Sequence, residues 1–199
     1  MRSSALAPHR VEAPRIGRRG WRAEYEGMAH ATGAVALLRA SGGEPAPAGP
    51  LCDALHACGC STLCIDTDPA ADLAAPTEGL AEALEWLRSA GQGVPIGLFG
   101  AGTGAGAALN LAARRPELVG AVVALAVGAA LARLPLERVC AATLLVVGRD
   151  DAALLDAHRL ALPRLGGARR LEIVPGAGDR GDALAAQAVA DLAAQWFAQ

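Results

Sequence analysis

Residues 94–107 read Val-Pro-Ile-Gly-Leu-Phe-Gly-Ala-Gly-Thr-Gly-Ala-Gly-Ala. The short apolar run behind Pro95 reads as a buried strand, and the alanine-rich stretch that follows reads as a helix. Between them glycines alternate at positions 100, 102 and 104. Residues without a Cβ let a strand reverse into a helix within a few positions, backbone against backbone. A chain that makes this turn in its interior is committed to alternating strands and helices, and the rest of the sequence agrees. Strands are expected at Trp21–Glu26 (an edge strand), Ala34–Ala40, Ser61–Asp66, Val94–Phe99, Leu118–Val127, Thr143–Val147 and Leu171–Val174. Helices are expected at Leu51–Cys58, Glu78–Ala90, Gly104–Arg114, Ala152–Leu165 and Ala183–Phe197, with Thr77 and Asp182 as caps of the second and the last. This order builds an α/β fold: a doubly wound, mostly parallel sheet covered on both faces, with no lid domain. Ligands of such sheets sit beyond the carboxyl ends of the strands. Four loops meet there, over residues 40–50, 100–104, 148–151 and 175–181.

Composition narrows the classes. The 199 residues suffice for one domain with a sizeable core, and with 3% aromatics that core must be built from Ala, Leu and Val. All 18 basic residues are arginine, which excludes Schiff-base and lysine general-base chemistry. Six of those arginines and one acid fall in residues 1–22. Residues 1–20 are expected to form a flexible basic arm, and residues 21–199 the single domain. The arm carries no nucleic-acid module, no apolar run reaches the ~18 residues of a membrane span, and no signal-peptide pattern opens the chain. The expectation is a cytoplasmic protein with neither nucleic acid nor membrane as partner. Four of the five cysteines (Cys52, Cys58, Cys60 and Cys64; the fifth is Cys140) lie within 13 residues, but without the paired C-x2-C knuckles of zinc sites. They read as small hydrophobes of a helix and the strand after it, with a redox pair or a metal as the competing readings.

The turn has the frame of a nucleophile elbow, G-x-S-x-G, in which a strand-to-helix turn lifts a serine above the sheet. Gly100 and Gly104 are the outer glycines; the nucleophile position holds Gly102. Together with Leu144–Asp151 and Leu171–Ala177, which reads Leu-Glu-Ile-Val-Pro-Gly-Ala, this stretch resembles the α/β-hydrolase superfamily. Within it, the chain resembles the small dienelactone-hydrolase-like proteins over most of residues 20–199. The resemblance implies a triad in the chain order nucleophile, acid, histidine. The acid position is filled by Asp151, with Asp150 beside it. The histidine position, in Pro175-Gly176-Ala177-Gly178-Asp179, holds Asp179. The loop that donates an oxyanion N–H, often a His-Gly stretch in that superfamily, reads Arg39-Ala40-Ser41-Gly42-Gly43. Glycine has nothing to attack with, and a carboxylate, with a reference pKa of ~3.9 against ~6.5, is a far weaker base than imidazole.

Replacement groups are poorly placed. The Thr103 hydroxyl is expected to point along the helix start, Ser41 has no base, and His158 is expected to be carried away from the mouth as a surface or packing residue. Gly100–Ala105 also fits the dinucleotide fingerprint G-x-G-x-x-A, but the acid expected ~20 residues later is missing. A repurposed mouth, with the glycine turn beside Asp150, Asp151 and Asp179, would suit a zwitterion, an amine or a divalent cation. The expected function is therefore a degenerate α/β-hydrolase-like protein without hydrolase activity and without a cofactor, binding a small molecule or a protein through Ser41, Gly42, Gly100, Thr103 and Asp150. The alternatives are an active hydrolase of small esters or lactones with an unusual nucleophile, and a dinucleotide-binding oxidoreductase.

Overall fold

The polypeptide is described by a computed structural model for residues 10–12, 14–16, 21–40, 48–67, 74–90, 93–177 and 182–199. Strands β1 (Arg10–Glu12), β2 (Arg15–Ile16), β3 (Trp21–Gly27) and β4 (Gly33–Ala40) come first. Helix α1 (Ala48–Ala57), β5 (Cys60–Thr67), α2 (Ala74–Ala90), β6 (Ile96–Ala101) and α3 (Thr103–Arg114) follow. The chain continues through β7 (Ala121–Leu125), β8 (Ala142–Gly148), α4 (Ala152–Ala161), β9 (Arg169–Val174) and α5 (Ala183–Phe197). The sheet order is β1-β3-β5-β4-β6-β7-β8-β9, with β2 also pairing to β3. From β5 to β9 every pairing is parallel; β1, β2 and β3 add an antiparallel margin. No helix among the described residues is long and apolar enough to cross a membrane.

Side-chain alternation splits the core into two layers. Ala34, Ala36 and Leu38 of β4 pack with Leu80 and Leu84 of α2 and with the small residues of α3. Val35 and Leu37 face the other way, toward Leu51 and Leu55 of α1 and Val189 and Ala193 of α5. A strand buried on both faces must be apolar throughout, which is why β4, β6 and β8 read as continuous hydrophobic runs.

Strand β6 lies between β4 and β7, and helices crowd it closely from both sides. A Cβ built on Gly97 would sit 2.5 Å from the Phe197 ring of α5. A Cβ on Gly100 would sit 2.5 Å from the carbonyl of Gly104 in α3. The two glycines are the contact surfaces of this strand.

Several boundaries differ from the sequence reading, for definable reasons. Trp21–Gly27 is an interior strand, because β1 pairs outside it; part of the segment expected to be a free arm thus joins the sheet. Helix α2 begins at Ala74, so Thr77 is not its cap. The Thr77 hydroxyl is buried and accepts a hydrogen bond from Asn110 Nδ2 of α3 at 3.1 Å. Pro76 and Pro50 both lie in first helical turns, where the missing N–H costs nothing; α1 therefore starts inside the segment expected as the loop over residues 40–50. Strand β7 is shorter than its apolar run, and the helix from Ala152 becomes a 3-10 turn at Leu162–Arg164, with Pro163 in it. Asp182 does cap α5, accepting from the Leu184 N–H at 3.1 Å.

The packing predicts a contrast. Gly100→Ala forces backbone apart and is expected to cost about 2–4 kcal/mol in urea unfolding. Gly49→Ala, at the exposed start of α1 with no described atom within 4 Å of the added Cβ, is expected to be neutral or stabilising by up to ~1 kcal/mol. Equal effects at the two sites would refute the close-approach account.

Candidate functional site

The order of the strands locates the site. β5 lies on one side of β4 and β6 on the other, so the winding direction reverses between β4 and β6. The crevice of a doubly wound sheet opens at such a reversal, outside the carboxyl ends. The turn from β6 into α3 stands there.

Gly102 is the pivot of that turn and the residue preceding α3, with φ +54° and ψ −117°. L-residues rarely occupy this region, because Cβ meets neighbouring backbone. The turn is pinned from the next strand: the Gly102 N–H donates to the Leu125 carbonyl at 2.9 Å, and the Ala126 N–H donates to Val146 at 2.8 Å. Ala126 itself has φ +49°. A non-glycine residue in that region carries on the order of 1–2 kcal/mol of strain, so strained backbone stands at the end of β7, beside the end of β6. Among the described residues, a Cβ built on Gly102 would have nothing within 4 Å.

Gly100 is buried, Gly102 partly so, and Thr103 is exposed as the first residue of α3. The first N–H groups of a helix have no intrahelical partner and point out of its start. Asp150 and Asp151 follow β8 and are exposed. Asp151 is the N-cap of α4, and its Oδ1 accepts from the Leu154 N–H at 2.9 Å. Ser41, Gly42 and Asp179 lie outside the described residues. Among the described residues, no group of three or more His, Cys, Asp or Glu side chains is arranged to hold a metal ion.

The described histidines have other surroundings. His56 of α1 shares a hydrogen bond of 2.9 Å with the Thr62 hydroxyl and lies 3.6 Å from Glu26. His30 sits in a turn with φ +57°. His158 is fully buried; its Nδ1 meets the Leu154 carbonyl at 2.8 Å, and its Nε2 has no hydrogen-bond partner among the described residues. Because a carbonyl only accepts, Nδ1 carries the proton and Nε2 is a bare acceptor. The alternative of a surface histidine is thus corrected to a packing one. The restraint of Gly102 by Leu125 and the strain at Ala126 were not legible in the sequence; both depend on strand pairing, and alanine carries no turn signal. An open cleft of about 490 Å³, lined by Ala113, Arg114, Pro116, Arg138 and Cys140, lies at the far end of α3 and includes none of the predicted residues.

Comparison with known proteins follows the same line. No family model matches the chain. Over 105 residues it is 41% identical to two Mycobacterium tuberculosis proteins provisionally named phosphoribosyl transferases, covering 52% of this chain and 24% of theirs. The chain thus spans about a quarter of the length of these curated relatives. The crystal structure of dienelactone hydrolase from Anabaena variabilis superposes with a TM-score of 0.81 and 31% identity, over 94% of this chain and 95% of that one. A cold-adapted esterase from an Arctic intertidal metagenomic library (TM-score 0.70, 19% identity, 94% and 93% covered) shares the fold. So does the esterase domain of a Rhodothermus marinus protein (TM-score 0.73, 17% identity, 95% and 97% covered).

The buried His158 gives a pH test. Burial pushes its pKa below the ordinary histidine value. The unfolded chain takes up a proton near pH ~6.5, whereas the native ring does so only at lower pH. Its contribution to stability is intact above that pH and is lost as pH falls toward the lowered native value, with a slope of at most ~1.4 kcal/mol per pH unit. Urea unfolding at neutral and mildly acidic pH is expected to show this loss in the natural protein and a smaller one in His158→Leu. Identical losses would show a ring in contact with water.

Proposed function

The chain belongs to the dienelactone hydrolase family of α/β-hydrolases, and we propose that this member has left acyl transfer and acts as a binding domain for a small molecule or a protein partner. The observation that carries the reading is Gly102. Its backbone has the sharp strand-to-helix geometry of a nucleophile position, with no described atom within 4 Å of where a side chain would begin, yet no attacking atom. The sequence position of the base, Asp179, holds a carboxylate rather than an imidazole. With nucleophile and base both missing, an oxyanion site alone supplies a residual catalysis of order 10³-fold over water in model triads, far below turnover.

What remains at the strand ends is suited to contact: the free N–H groups at the start of α3, the exposed Thr103 hydroxyl, and the exposed carboxylates of Asp150 and Asp151. The mycobacterial relatives favour a protein partner. In them the matching segment is about a quarter of a longer chain, so a related segment occurs covalently joined to further protein.

The competing reading, an ester or lactone hydrolase, draws on the 31% identity to the Anabaena enzyme and would need Thr103 or Ser41 as nucleophile. A fluorophosphonate probe separates the two. The natural protein is expected to stay unlabelled and to hydrolyse p-nitrophenyl acetate no faster than Gly102→Ala. Gly102→Ser places a hydroxyl in the open space at a backbone cost of about 1–3 kcal/mol, and with Asp179→His it is expected to gain labelling and esterase turnover. Stoichiometric labelling of the natural protein, abolished by Thr103→Val or Ser41→Ala, would overturn the proposal.

A further inference from the structure

Helix α1 and strand β5 face each other across one core layer, and two thiols meet between them. Cys52 Sγ and Cys64 Sγ are 3.6 Å apart although 12 residues separate them in sequence. That is contact between sulfurs. A disulfide at ~2.05 Å needs them to close by roughly 1.5 Å. We propose that Cys52 and Cys64 are a modification site: a reversible disulfide, formed by a peroxide, that staples α1 to β5.

The surroundings fit this use better than simple packing. Cys52 is half-buried, so an oxidant can reach it, whereas Cys64 is 5% exposed and lies behind it. A pair with one open and one sheltered thiol has an attacking member and a resolving member. The neighbouring Cys60 is a contrast: it is buried, and burial together with Cys58 pushes its thiol up to about 11, so it stays protonated and unreactive. Cys58 and Cys140 are exposed, and neither is in sulfur contact with another thiol among the described residues.

The chemistry balances. Cys52 loses its proton, and the thiolate attacks one peroxide oxygen; the O–O bond breaks, and the second oxygen leaves as water after taking up a proton. Cys52 is now a sulfenic acid. The Cys64 sulfur attacks the Cys52 sulfur, the S–O bond breaks, and the hydroxyl leaves as a second water with the Cys64 proton. Two thiols are oxidised by two electrons, and hydrogen peroxide is reduced to two waters. A dithiol reverses the bond by exchange. The staple closes a short loop and holds α1, which also packs on α5, against the sheet.

The experiment treats the reduced full chain with a few equivalents of hydrogen peroxide. Non-reducing mass spectrometry is expected to find a mass lower by about 2 Da and two fewer alkylatable thiols. Cleavage before Asp53 and Asp66 separates the two cysteines, and in Cys58→Ser/Cys60→Ala the link must join Cys52 to Cys64. Cys52→Ser and Cys64→Ser are each expected to abolish it, with Cys52→Ala and Cys64→Ala as second variants should either serine fail to fold. Oxidation is expected to raise Tm by about 5 °C and slow amide exchange in α1, both reversed by dithiothreitol. Full alkylation of both thiols after oxidation, a link from Cys52 to Cys58 or Cys60, or irreversible gain of oxygen at Cys52 without a link would each overturn the proposal.

Discussion

Two backbone segments touch where β6 turns into α3, and most of the molecule is arranged around that contact. Gly100 and Gly104 stand so close that one methyl group on the first would overlap the carbonyl of the second. The small residues of α3 continue the same requirement. Ala105, Gly106, Ala107 and Ala108 are all buried, which lets the helix lie low across β4, β6 and β7. Because α3 lies low, the central strand can be flanked on both sides and still be covered. Because β6 is flanked by β4 and β7, its end opens at the reversal of the winding order.

The frame glycines therefore have a folding role that does not refer to residue 102. Gly100 and Gly104 are needed for the strand to pass the helix, whatever the pivot presents. Gly102 has a different relation to stability. At φ +54° a serine or cysteine carries strain that a glycine does not, on the order of 1–3 kcal/mol. A glycine at this pivot makes a more stable turn than a serine or cysteine would, the usual exchange between activity and stability at strained sites.

How far the sequence could be read follows from which signals are local. Periodicity located the parallel strands β4 to β9 and helices α1 to α5, since each buries residues at a spacing its own segment displays. The same logic failed where partners are distant or the cue is ambiguous. β1 and β2 are two or three residues long and exist by pairing with β3, so no local pattern announces them. Pro50 and Pro76 were ambiguous because a proline suits a loop and a first helical turn equally. Motif spacing placed Gly100 and Gly102 at the turn from β6 into α3 and Asp151 after β8, where the structure has them. The anchoring of Gly102 by Leu125, and the positive φ of Ala126, arise from the register of β7 against its neighbours.

Asp151 completes the argument about what a filled triad position signifies. It is the one member of the expected triad that the sequence holds intact, and that alone would favour chemistry. In the structure its carboxylate caps α4 by accepting the Leu154 N–H, an interaction worth about 1 kcal/mol to any helix start. Four residues further along, His158 folds back on the Leu154 carbonyl and fills the layer beneath that helix. Asp151 thus has a structural use independent of a catalytic base, as Gly100 and Gly104 have one independent of a nucleophile. The two positions that the resemblance assigns to nucleophile and base hold Gly102 and Asp179 in the sequence. The motif is kept at Gly100, Gly104 and Asp151, each with a structural use of its own, and it changes at those two, which is the reason to seek this protein's role in binding.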